Sequence, residues 1–271
     1  MLLGFIVGLV AEWLRRGLQI LAPRFDSGRG LQQFLSGAPI RPTSRVWGKG
    51  AHISAETMLD RRVHMVNGQI RTGGVVDKAV LAAFLETPRQ HFVAPEHESL
   101  AYLDRELPAR HAKFRRLLAP MVLARMFQAA TVVPTDRVLD VAGGSGYGAA
   151  LLASMGAKVV LLESDAAAAE AAKSELHNRA SVAVVVGPLD SGAAALGPFD
   201  IVVVEGAFGV YPESLIALMA DPGRLVGVDS SSEPSQAVIY EKSGGGLSRR
   251  ALFETKTEIL DGFRPRVSFA F

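Results

Sequence analysis

Gly143, Gly144 and Gly146 stand in the run VLDVAGGSGYGAALLA, Val138 to Ala153, with one acid, Asp140, just ahead of them and another, Glu163, closing the next apolar segment. Glycine has no Cβ, so a loop built from it lets backbone amides come close to a ligand. The flanks have the texture of a strand before the loop and a helix after it, and in an open α/β sheet such a turn faces a ligand beyond the strand's carboxyl end. The spacing Gly144-x-Gly146-x-x-Ala149 also meets a degenerate dinucleotide fingerprint, and Glu163 is placed to accept hydrogen bonds from ribose hydroxyls. These features alone fit NAD and S-adenosylmethionine equally.

Two details favour the sulfonium cofactor. Asp140 lies inside the first strand, where it would attract the cationic amino-acid end of S-adenosylmethionine and repel a pyrophosphate, and FDIVVVEGA follows about sixty residues later. Simpler roles stand beside these: Asp140 capping the amides of the loop, and Glu163 as a favourable charge at a helix N-terminus.

The elements that must position these residues are legible as alternating textures. RVLDV predicts a strand, YGAALLASM a helix ended by Gly156, KVVLLE a strand, and SDAAAAEAAKSEL a helix with Ser164 or Asp165 as its cap. SVAVVV and FDIVVVE predict further strands, and PESLIALM the helix that follows. Short β-branched runs alternating with helices predict a parallel sheet covered on both faces. RLVGV and AVIYEKSGGGLSRRALFET predict a strand and a glycine-turned hairpin that closes the sheet antiparallel. Ahead of this region, AVLAAFLE and MVLARMFQAA predict helices, the second starting just after Pro120. The expected fold is a doubly wound α/β domain with an N-terminal helical region.

Composition narrows the chemistry. The 271 residues are 49% hydrophobic and 21% charged, enough for one sizeable core, and the absence of cysteine removes thiolate metal sites and thiol nucleophiles. The six histidines have no ligand spacing, so no metal is expected. Residues 1–57 carry seven Lys and Arg against three Asp and Glu, and the rest of the chain carries 22 against 24. Pairs such as Arg115-Arg116 do not form a basic stripe with interleaved aromatics, which argues against a nucleic-acid partner.

The first 57 residues form an extension before the expected helical and α/β parts. Met1 to Ala11 is apolar but too short to span a bilayer, and it lacks the basic start and small-residue cleavage site of a signal peptide, so a cytoplasmic setting is expected. An interfacial helix with Trp13 and Arg15-Arg16, a packing helix, or translation starting at Met58 or Met65 are the readings open for it.

Over Met58 to Val228 the chain resembles the protein-L-isoaspartate O-methyltransferases, enzymes that methylate the abnormal carboxylate of isomerised aspartyl residues. MVNGQIRTGGVVDKAVLAAFLETPRQHFVAP is similar to the family's MV..Q....GI.d..vl.am..vPR..Fvp, and AYLDRELP to its aY.d..lp segment. VLDVAGGSGYGAALLA is similar to VLEIGTGSGYqaAvLA, with Asp140 for the glutamate and Ala142 for the first glycine. The resemblance implies a Rossmann-like class I methyltransferase fold over residues 58–271, with 58–130 on the substrate side and 131–271 holding the cofactor. It implies S-adenosylmethionine as cofactor, contacted by Asp140, Ala142, Gly143, Gly144, Gly146 and Glu163, and a protein or peptide bearing isoaspartyl residues as partner.

Two departures bear on that implication. The family's SQP triplet, whose serine is thought to orient the substrate carboxylate, is here Leu118-Ala119-Pro120, and its GDG triplet is Gly187-Pro188-Leu189, with Asp190 close behind. Leu118 and Arg116 are therefore the substrate-side candidates, with Arg115 as a second source of a charge-assisted donor. A peptide carboxylate, with a pKa of about 4, is already ionised at neutral pH, so the transfer needs no general base. Positioning alone contributes up to roughly 7 to 11 kcal/mol, whereas one serine hydrogen bond to a charged group is worth on the order of 1.5 to 3 kcal/mol. A different methyl acceptor and a non-catalytic cofactor-binding module are the alternatives.

Overall fold

A computed structural model of the chain describes residues 55–265, so residues 1–54, with the helix expected in the extension, lie outside the described residues. The described part opens with α1 (Ala55–Met65), which runs into one π-turn, Val66–Ile70. Helix α2 (Lys78–Glu86) starts where Asp77 accepts hydrogen bonds from the amides of Ala79 and Val80, and it stops at Thr87-Pro88 because the residue before proline is pushed to extended backbone. Two short 3-10 turns follow, at Arg89–His91 and Pro95–Leu100. A small antiparallel ladder, β1 (Leu107–Pro108) and β2 (Arg116–Leu117), then leads into α3 (Pro120–Ala130), with Pro120 at the first helical position.

From there the order is β3 (Arg137–Val141), α4 (Tyr147–Ser154), β4 (Lys158–Glu163), α5 (Ala166–Leu176), β5 (Val182–Val186), β6 (Phe199–Phe208), α6 (Glu213–Ala217), β7 (Met219–Asp229), β8 (Gln236–Ser243) and β9 (Gly246–Glu254). The seven strands lie in the order β5-β4-β3-β6-β7-β8-β9. Strands β3 to β7 are parallel and the last two antiparallel, as the sequence predicts, with Gly244 and Gly245 turning the hairpin at positive φ. After β3 the chain moves outward to β4 and β5, then crosses back to β6 on the other side, so the topological switch lies at β3. A ligand crevice is expected outside the carboxyl ends of the strands at such a point.

Side-chain alternation divides the core into two layers. Val138, Val159, Leu161, Ile201 and Val203 face α2, α3 and α4, while Leu139, Val141, Leu162, Val202 and Val204 face the side closed by Leu215, Leu260 and Phe263. Two details differ from the sequence reading. Strand β5 was expected to be buried on both sides, yet as an edge strand it is only half covered, with Val186 exposed. Helix α6 covers five residues of PESLIALM, because Met219 already pairs with Phe199 as the start of β7.

Candidate active site

The period of two brings three acids to one face of the sheet. Asp140 follows Val138 on β3, Glu163 follows Leu161 on β4, and Glu205 follows Val203 on β6, all at the carboxyl ends and all on the α4 side. All three are buried. The glycine loop crosses directly above them: a Cβ on Gly143 would stand 2.5 Å from an Asp140 oxygen, and one on Gly148 would stand 1.7 Å from Glu205 Oε1 and 3.5 Å from Asp140 Oδ2. Glycine at 148 is therefore what admits Glu205 beneath the first turn of α4. Ser145 ties the same loop to the helical region through a 2.5 Å hydrogen bond donated to the carbonyl of Phe92.

Backbone shape along the loop follows its composition only in part. Gly144 and Gly146 adopt positive φ, as glycine does freely, and Gly146 caps α4. Ala142 adopts φ of 62° as well, in a region where a Cβ is unfavourable, and it is held there by donating its amide to the Leu162 carbonyl at 2.9 Å.

Asp140 and Glu205 are an unusual pair. Neither carboxylate meets a hydrogen-bond donor at good geometry. Burial pushes the Asp140 carboxyl up to about 7; the nearby Glu163 charge adds to this, and contacts with Glu205 and the Ala149 amide oppose it. Burial, and then the adjacent Asp140, raise Glu205 well above the usual carboxylate range. Two carboxylates this close in the interior do not both ionise near neutrality, so the pair holds a proton. The other buried charge beside them is Arg89, whose guanidinium lies 5.4 Å from the Tyr147 ring centroid and donates to the Arg105 carbonyl at 3.3 Å.

Glu163 is in the opposite condition. Its two oxygens accept from the amides of Gly144, Ser164 and Asp165 at 3.0, 2.7 and 3.0 Å. Arg115 adds a two-pronged contact, Nη2 to Oε1 at 2.9 Å and Nε to Oε2 at 3.1 Å, with side-chain exposures of 10% for the arginine and 0% for the glutamate.

A cleft of about 310 Å³ reaches Glu205 and is lined besides by Arg115, Arg116, Ser164, Asp165 and Leu260 among others, whereas Asp140, Glu163 and the glycine loop lie behind its wall. Arg116 is half-exposed there and leans on Glu106, 3.6 Å away. Leu118 is buried in the apolar cluster beside Leu117 and does not line the cleft. Leu189 is likewise buried, and Asp190 accepts from the Ser191 hydroxyl at 3.0 Å. Sequence reasoning missed Glu205 and Gly148. The available signal was the acid that ends the apolar run FDIVVVE, in register with Asp140 and Glu163.

The sequence matches the model of the family described as protein-L-isoaspartate(D-aspartate) O-methyltransferase over residues 60–255. The chain belongs to that family. It is accordingly an S-adenosylmethionine-dependent methyltransferase. Among relatives named protein-L-isoaspartate O-methyltransferase, one from Gloeobacter violaceus is 37% identical over 206 residues, covering 74% of this chain and 99% of the relative. One from Koribacter versatilis is 34% identical over 193 residues, covering 70% and 86%. A solved protein-L-isoaspartate O-methyltransferase superposes with a TM-score of 0.65 at 23% identity, over 74% of this chain and 66% of that one. A Plasmodium falciparum structure described as the same enzyme, in complex with S-adenosyl-L-homocysteine, gives 0.63 at 20% identity, over 74% and 98%. Both share the fold, and the Rossmann-like α/β architecture read from the sequence is the one the family has. No helix among the described residues is long and apolar enough to cross a membrane.

Proposed function

We propose that this chain methylates the abnormal carboxylate of isoaspartyl residues in proteins, and that cofactor and acceptor meet where the cleft lined by Arg115 and Glu205 adjoins the buried acids Asp140 and Glu163. The observation that carries the reading is the buried acid face under a glycine cradle: the oxygens of Asp140 and Glu205 have no hydrogen-bond partner within the protein, at the switch point of the sheet, and their chemistry suits a cationic group. The residues suit the cofactor. The Asp140–Glu205 pair, which keeps a proton, offers acceptor oxygens and at most one negative charge to an ammonium, Ala142, Gly143, Gly144 and Gly146 offer a close backbone surface, and Glu163 is the acceptor for ribose hydroxyls. When bound, the cofactor supplies a methyl group on a sulfonium, which passes to a carboxylate oxygen as the carbon–sulfur bond breaks.

The chain's own part is binding, alignment and exclusion of water. No side chain has to remove a proton from a carboxylate acceptor, which is consistent with a leucine at position 118. The cleft's four cations, Lys113, Arg115, Arg116 and Arg264, stand among four acids, Asp165, Glu205, Glu258 and Asp261, so an anionic acceptor is held by individual donors such as Arg115 and not by a net positive field. We infer further that residues 58–271 form the methyltransferase domain, with 58–130 toward the acceptor and 131–271 around the cofactor, that residues 1–57 are an extension, and that the setting is cytoplasmic.

Incubating the full chain with labelled S-adenosylmethionine and an isoaspartyl peptide tests the reading. A base-labile methyl ester on that peptide, and none on its ordinary aspartyl counterpart, is expected. Label on neither peptide, with label recovered on another component of a cell extract, would sink the acceptor assignment.

A further inference from the structure

Arg115 and Glu163 raise a problem of capacity. A carboxylate offers about four lone-pair sites, and Glu163 already faces five N–H groups, three of backbone amides and two of Arg115, the Nε of which reaches both oxygens. The amides belong to Gly144 and to the turn after β4, so they are fixed by the fold. Arg115 is the one donor carried on a separate element, the hairpin loop between β1 and β2.

That loop also stands where a ligand would approach. A Cβ on Gly144 would sit 3.0 Å from Arg115 Cγ and 3.1 Å from Cβ of Ala109, so the open side of the glycine cradle is covered by the loop itself. A second tether holds it down, from the Lys113 amide to Asp165 Oδ2 at 3.0 Å. The chain thus places its own guanidinium on the acid assigned to the ribose.

We propose that Arg115 is a latch: it competes with the cofactor's ribose for Glu163, withdraws when the cofactor binds, and then turns its freed guanidinium to the acceptor carboxylate. The proposal rests on the cofactor and acceptor assigned under Proposed function. Three features support the second half. Arg115 already lines the cleft together with Arg116 and Glu205; its planar fork suits a carboxylate as well as it suits Glu163; and Leu118, buried in the core, presents no donor there. One side chain then links the two binding events, so cofactor binding prepares the acceptor site.

The test uses the full chain, with Arg115→Ala and Arg115→Lys. In calorimetry with S-adenosylhomocysteine, Arg115→Ala is expected to bind about 5-fold or more tighter than the wild type, because Glu163 no longer has to be released. With isoaspartyl peptide at saturating cofactor, the same variant is expected to raise KM about 10-fold or more with a smaller change in kcat. Arg115→Lys keeps the charge but not the fork, and it should recover part of the KM loss. Binding of S-adenosylhomocysteine that is equal or weaker in both variants, while the wild type binds it, overturns the latch alone. Binding to none of the three proteins overturns the cofactor assignment and the latch together. The lysine variant keeps the comparison decisive even where the alanine variant folds poorly.

Discussion

Glu205→Gln should stabilise this protein, and by an amount that grows with pH. Above about pH 4.5 the unfolded chain has released the protons of both Asp140 and Glu205, whereas the native state retains them. A native state that binds an extra proton loses about 1.4 kcal/mol of stability per pH unit. For acids whose folded pKa is raised, stability is complete below the unfolded value and is lost as pH rises through the folded value. For Asp140 that loss runs from about pH 4 to about 7, and for Glu205 it extends well above the usual carboxylate range. A glutamine of the same shape cannot titrate, and its amide gives Asp140 a hydrogen-bond donor. The advantage of the variant over the wild type should therefore widen with pH above roughly pH 5, by at most about 1.4 kcal/mol for each pH unit over which Glu205 keeps its proton, against a typical total stability of about 5 to 15 kcal/mol. Arg89, Glu163 and Tyr147 also face the pair, but they are unchanged in the variant and their contributions largely cancel in the comparison. Urea unfolding of both proteins across that range measures the difference. A stability difference that does not change with pH, or a variant less stable than the wild type at the upper end, would refute the shared proton.

Two further substitutions probe the glycine loop. Ala142→Gly should gain about 0.5 to 1 kcal/mol in urea unfolding, since relief of the positive φ outweighs glycine's greater entropy in the unfolded chain. A loss of stability there would mean that the alanine methyl packs better than its backbone is strained. Gly148→Ala would ordinarily help a helix, yet a Cβ at 1.7 Å from Glu205 Oε1 should instead cost about 1 to 3 kcal/mol. Adding Glu205→Ala should recover much of that loss, and a double variant no more stable than Gly148→Ala would contradict the contact.

Much of the fold was open to reading because its signals are local. β-branched runs, Pro120 at a helix start, Asp165 as a cap and the Gly244-Gly245 turn each act on their own few residues, and each appears where expected. Strand β5 misled for a reason that is not local: an apolar run cannot reveal whether it lies at the centre or the edge of a sheet. The site divides in the same way. Asp140, Gly144, Gly146 and Glu163 carry short-range patterns, whereas Glu205 depends on the register of β6 against β3. The contact of Arg115 with Glu163 joins residues 48 apart through a hairpin only a few residues wide, and nothing in the spacing announces it.

Whether this acid face and glycine cradle hold S-adenosylmethionine is decided by calorimetry on the wild type and Asp140→Asn, titrated with S-adenosylhomocysteine and separately with NADH. S-adenosylhomocysteine should bind the wild type, NADH should not, and Asp140→Asn should weaken binding by about 10-fold or more, the equivalent of one charge-assisted hydrogen bond. NADH binding in place of S-adenosylhomocysteine, or an Asp140→Asn variant with unchanged affinity, would contradict this expectation.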